Sequence, residues 1–147
     1  MTAISMVDRK VFVDTGAYYA FLDRNDRHHR QAAETFRSMA DVPQVTTDLI
    51  VAECFTLIRY RLGFPQAASF LDRLSAAREK GFVHIVYYGA EHEAAVREVL
   101  NKFSDQDLSY VDAFSLALLS AKGFTKSVFA FDHHFHLINC RVIPGGF

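Results

Sequence analysis

Hydrophobic positions along the chain follow two rhythms. Compact runs rich in Val, Ile and Phe at 10–13, 45–46, 82–87, 127–131 and 138–143 predict short strands. Between them the apolar residues recur every three or four positions, which predicts helices. These cover 17–22, 29–39 (Ala32, Ala33, Phe36, Met39), 49–62, a segment opening near Pro65, 90–103 and 110–121. The helix at 49–62 reads as largely buried and stops near Gly63. The one after Pro65 carries the stripe Ala67, Phe70, Leu71 and Leu74. That at 90–103 turns Ala94, Ala95, Val99 and Leu100 inward, and 110–121 is apolar nearly all round. Strands separated by helices predict an α/β fold, a three-layer α/β/α sandwich with a mostly parallel central sheet. In such sheets the ligand site lies beyond the carboxyl ends of the strands.

Four acidic residues stand against these apolar elements. Asp14 closes Val11-Phe12-Val13, and Asp132 closes Val128-Phe129-Ala130-Phe131. Glu53 lies inside Leu49-Ile50-Val51-Ala52-Glu53-Cys54-Phe55, and Asp112 opens Ala113-Phe114-Ser115-Leu116. A carboxylate beside a core is costly unless it is paired, hydrogen-bonded or bound to a metal. Local capping is one explanation. Asp14 and Asp132 can each cap a helix that follows a strand, and Ser109-Tyr110-Val111-Asp112 fits a capping box. Glu53 is more than a turn into its helix, out of reach of the terminal amides. Solvent or Arg59 are its local options. The other explanation is one shared cation, with two strand-end acids and two helix acids converging at one sheet edge. Oxygen-only ligands favour Mg2+ or Mn2+ over zinc, and such a site suits phosphoryl chemistry.

Composition narrows the field. The 147 residues, half of them hydrophobic and 14% aromatic, suit one domain over 1–147, with 1–9 as a loose lead-in. Sixteen basic and 17 acidic side chains give a net charge of −1, which excludes a nucleic-acid binder working by bulk positive charge. Nucleic acid held locally, through a metal and a few arginines, stays open. Arg59, Arg61, Arg73, Arg78 and Lys80 read as a solvated helix surface or as a groove that positions a phosphate backbone. Cys54 and Cys140 form no framework; Cys54 reads as a small core residue, and a reducing cytoplasm is expected. No apolar stretch reaches the roughly 18 residues of a membrane span.

Two further patterns invite other chemistry. Asp14-Thr15-Gly16 matches the aspartic-protease signature, but that chemistry needs a pair of such aspartates in a β-rich fold. His133, His134 and His136 invite a transition metal, yet no Cys cluster or His-Glu-x-x-His helix accompanies them. They read as a loop with one or two exposed. His28 and His29 read as helix N-terminal surface residues.

Taken together, strand-Asp-Thr at 11–15, the helix Glu53, Leu-Ser-Tyr-Val-Asp-Ala at 108–113 and Phe-Asp-His-His-Phe at 131–135 resemble the PIN-domain nucleases, and among them the VapC-type toxin ribonucleases. The pattern Asp26-x-x-His29-x-x-Ala32 and Arg59-Tyr60-Arg61-Leu62-Gly63 belong to the same resemblance. It implies a PIN-like fold and an Mg2+- or Mn2+-dependent endoribonuclease that leaves 5′-phosphate and 3′-hydroxyl ends. It assigns Asp14, Asp112 and Asp132 as the chief metal ligands. Glu53 would complete the cage or orient the attacking water. Thr15 and Ser115 match positions near the metal, and Asp107 is a further acid of the same segment. Gly16 departs from the Asn or Ser of many relatives without removing a ligand. RNA substrate, a cognate antitoxin, a homodimer and no membrane are the implied partners. A binding module without catalysis, or a processing nuclease outside toxin systems, are the alternatives.

Overall fold

The computed structural model describes residues 9–145. Five strands, β1 (Val11–Val13), β2 (Gln44–Thr47), β3 (Val83–Val86), β4 (Ser127–Phe129) and β5 (Arg141–Ile143), form one sheet in the order β3-β2-β1-β4-β5. Every pairing is parallel, so the expectation of a mostly parallel sheet is met in full. β1 lies at the centre, with Phe12 opposite Val45 on one side and Val128 on the other. Its three residues are buried, as a strand covered on both faces requires.

Six helices complete the layers: α1 (Thr15–Leu22), α2 (His29–Ser38), α3 (Asp48–Leu62), α4 (Phe64–Glu79), α5 (Glu93–Lys102) and α6 (Tyr110–Ser120). α1 packs on α2 and α3, and α3 packs on α4, whereas α5 pairs with α6. The chain steps from β1 to β2 to β3 in one direction, then returns past β1 to β4. Right-handed crossovers therefore put α1 to α4 on one face and α5 with α6 on the other. The reversal makes the gap between β1 and β4 the topological switch point, where a parallel sheet offers its ligand crevice.

Several helical faces differ from the periodicity reading. α3 is not largely buried: only Ile50, Cys54 and Ile58 are, and Tyr60 is 81% exposed. That four-residue spacing is a single stripe against the core, and the remaining apolar residues lie on its flanks. In α4, Ala67, Phe70 and Leu74 are buried while Leu71 turns outward. The segment at 90–103 splits into a 3-10 turn at Ala90–His92 and α5, whose buried residue is Val96, with Val99 and Leu100 beside the core. Ala94 and Ala95 are exposed. α3 ends at Gly63, whose φ of 99° lies in the region open to glycine, and α4 starts there with Pro65 in its first turn. Cys54 and Cys140 are free, Cys54 in the core. Residues 1–8 of the expected lead-in lie outside the described residues. Among the described residues, no helix is long and apolar enough to cross a membrane.

Candidate metal centre

β1 and β4 are neighbours, so the residues after their carboxyl ends meet at the switch point. Asp14 follows β1 and is 4% exposed, and its backbone N–H donates to Phe129 O at 3.1 Å, which ties it to β4. Asp132 follows β4. Asp112 sits in the first turn of α6 and Glu53 inside α3, half-buried.

These acids lie near enough to raise one another's affinity for a proton. Burial pushes the Asp14 carboxyl up to about 8, and Asp112, Asp132 and Glu53 add to the rise; only the Thr15 backbone N–H opposes it. Glu53 is raised too, first by burial, then by Asp112 and Asp132, against a lowering by the Thr15 hydroxyl. A buried carboxylate surrounded by three others is the environment a polyvalent cation would relieve. Arg59 does not relieve Glu53; its guanidinium lies 5.0 Å from the centre of the Phe64 ring.

The capping alternative divides the acids. Ser109 and Asp112 form a full capping box: Ser109 N–H donates to Asp112 Oδ2 at 3.1 Å, and Asp112 N–H donates to Ser109 Oγ at 3.0 Å. Asp132 Oδ1 accepts from the His134 N–H at 2.8 Å and caps the 3-10 turn His133–Leu137. Asp14 occupies the N-cap position of α1 but makes no side-chain cap bond. Capping spends one or two of the roughly four lone-pair sites of a carboxylate, so Asp112 and Asp132 keep capacity for a ligand.

The neighbouring polar groups also fall into place unevenly. Thr15 is buried, and its Oγ1 has no hydrogen-bond partner of sound geometry, although the hydroxyl acts on Glu53. Ser115, three residues after Asp112 on α6, is buried, with its hydroxyl donating to Val111 O at 3.1 Å. Asp107 is exposed.

The sequence pattern missed two residues here. His28, expected at the surface, stacks flat on Phe131 with ring centres 4.3 Å apart and planes 5° from parallel, beside Asp132. His134, on the short loop or turn expected to expose one or two of its histidines, is itself 9% exposed and directs Nδ1 to 2.9 Å from Asp132 Oδ1 and 3.7 Å from Asp112 Oδ2. The Asp-x-His spacing at 132–134 carries that signal, because a capping Asp folds the residue two places on back over its own carboxylate. Among the described residues, one group of donor atoms closes to within 4.8 Å, that of Asp132, His133 and His134. The four carboxylates are more widely spread, as like charges are.

A buried Thr15 hydroxyl without a well-formed hydrogen bond and a carboxyl held far above its ordinary range beside three further acids fit a divalent cation. The arginines expected at a solvated face are exposed, and two of them meet aromatic rings there: Arg61 lies 5.1 Å over Tyr19, and Arg78 donates to Tyr87 at 2.8 Å. A single Asp-Thr-Gly on a parallel α/β sheet removes the aspartic-protease reading.

Comparison with known proteins places this architecture. The model of the PIN domain matches residues 11–139. A 23S rRNA-specific endonuclease, VapC20 of Mycobacterium tuberculosis, is 29% identical over 125 residues, covering 85% of this chain and 91% of the relative. The crystal structure of M. tuberculosis VapC20, described as a Sarcin-Ricin loop cleaving toxin, superposes with a TM-score of 0.72 at 28% identity, covering 86% of this chain and 93% of that one. A DNA-bound VapBC structure from Salmonella typhimurium has the same fold, with a TM-score of 0.61 at 14% identity over 90% of this chain and 96% of that one.

Proposed function

This chain belongs to the PIN domain family, and on that premise we propose that it is a divalent-cation-dependent endoribonuclease acting as the toxin of a toxin–antitoxin pair. The observation that carries the reading is the convergence of Asp112, Asp132 and Glu53 on the buried, uncapped Asp14 at the switch point. Asp14, Asp112 and Asp132 would hold the ion, with Glu53 completing the cage or orienting the attacking water. Mg2+ or Mn2+ is the cation that suits these oxygens. When bound, it would make a water nucleophilic and neutralise charge on the scissile phosphate.

The chain's own residues supply placement. β1 and β4 fix the strand-end acids side by side, and the capping box fixes Asp112 against α6. Burial of Asp14 excludes bulk water from the deep side of the pocket. The VapC20 relatives make a structured loop of 23S rRNA the first substrate to try. The same reading treats residues 1–147 as one functional domain at work in the cytoplasm, with a protein antitoxin and a second copy of the chain as partners.

The test is incubation of the pure protein with ribosomal RNA in Mg2+, Mn2+ or chelator, followed by mapping of the cut ends. Discrete cuts bearing 5′-phosphates, present only with the ion, are expected. Ion-independent cutting, or RNA retained intact under all conditions, contradicts the reading.

A further inference from the structure

The expected ligands of this centre are oxygens, yet a nitrogen faces them. His134 is 9% exposed, and its Nδ1 is buried without a hydrogen-bond partner. It lies 2.9 Å from Asp132 Oδ1, close enough for a bond, but the ring N–H direction misses the oxygen. Oδ1 already accepts the His134 backbone N–H at 2.8 Å. Nδ1 also stands 3.7 Å from Asp112 Oδ2. The ring is braced by His133, with centres 4.3 Å apart. A buried polar atom without a well-formed hydrogen bond costs on the order of 1–3 kcal/mol, and the Asp132 oxygen at 2.9 Å does not satisfy this one.

The spacing suits an ion better than a hydrogen bond. Two donors about 2.1 Å from one cation and at right angles lie about 3 Å apart, close to the separation of Nδ1 and Oδ1. We propose that His134 Nδ1 is a ligand of the metal centre, which makes it a mixed nitrogen–oxygen site with Asp132 and Asp112. The inference rests on the metal-dependent reading above and sharpens its ion preference. Mg2+ strongly prefers oxygen, whereas imidazole is a good ligand for softer divalent ions. The site therefore binds Mn2+ more tightly than Mg2+, and His134 is the source of the difference. His133 is 80% exposed at its side chain and serves as the control.

The probe is Mn2+ added to the intact protein, read by electron spin echo modulation and by titration. Nitrogen-14 coupling to Mn2+ is expected in the wild type and in His133→Gln, and its loss in His134→Gln. Mn2+ affinity should fall about tenfold or more in His134→Gln, with Mg2+ affinity within about twofold of wild type. Mn2+ bound without nitrogen coupling in the wild type overturns the proposal and leaves the carboxylate site standing. So does coupling that follows His133 rather than His134. Failure of the wild type to bind Mn2+ at all overturns both this proposal and the metal-dependent reading. The wild-type spectrum decides the matter even if His134→Gln does not fold.

Discussion

On one side of the acidic pocket, Asp112 and Asp132 are held by local hydrogen bonds to Ser109 and His134. On the other, Asp14 is more deeply buried and has no side-chain cap bond, and beside it Thr15 Oγ1 has no hydrogen bond of sound geometry. The first side would keep its shape whether or not the pocket had a use. The second is a stability cost in the isolated chain, because burial and three neighbouring acids oppose the ionised form of Asp14. Residues that cap and residues that only cost are thus combined in one pocket. The costly ones point to function most directly, since folding gives no other reason to keep them.

The contrast can be broken most forcefully through Asp14 and pH. Its native carboxyl is raised from 3.8 to about 8, so the native state binds a proton that the unfolded chain has released. This contribution to stability is fully present below the unfolded value and is lost as pH rises toward the native one. Chelator-treated protein should lose stability on the order of a few kcal/mol between about pH 4 and pH 8. Asp14→Asn should flatten that slope and be the more stable protein at pH 8, as denaturant unfolding across pH would read. A wild type whose stability rises across this window would contradict the uncompensated side.

A bound ion should undo the cost. At pH 8, Mn2+ at about 100 times its dissociation constant should stabilise the wild type by roughly 2.7 kcal/mol and leave Asp14→Asn nearly unmoved. Thermal unfolding with and without the ion measures both.

The capped side predicts a smaller effect of a different kind. Ser109→Ala removes one bond of the capping box and should cost about 1 kcal/mol of stability. Cleavage per folded molecule should stay within a few-fold of wild type. A large loss of activity at full folding would mean that the box serves the site and not only the helix.

The smallest effect concerns the uncapped helix itself. Gly16 lies inside α1, and a Cβ there would meet nothing within 4 Å. Gly16→Ala should therefore stabilise the chain by roughly 0.5–1 kcal/mol, visible as a small rise in the denaturant midpoint.

Much of this was legible beforehand because strand and helix periods differ and the strands are buried on both faces. The runs around Phe12, Val45 and Val128 read as strands because helical periods separate them, and the structure adds that they are neighbours at the middle of the sheet. The four acids were legible because each broke an apolar run. Helix faces were less so: alanines at 94 and 95 pack either way, and Val96, with Val99 and Leu100, sets the inner side of α5. Capping and metal binding looked like rival explanations of Asp112 and Asp132; the structure shows the caps, and a two-oxygen group that caps keeps capacity for a ligand. His28 was hidden because its stacking on Phe131 is a contact between distant segments, which residue spacing does not encode; the signal for His134 lay in the Asp-x-His spacing after Phe131. Glu53 stood out in sequence because no helix terminus is near it. In the structure Asp14 is the more exceptional residue, since burial adds what spacing could not show.

The most direct measurement is the rate of ribosomal RNA cleavage in Mn2+ by wild type and Asp14→Asn at equal folded fraction. Loss of a ligand worth several kcal/mol to the transition state should lower the rate by about a thousandfold or more, with the mutant folded and at least as stable at pH 8. Undiminished cleavage by the folded mutant would contradict the account.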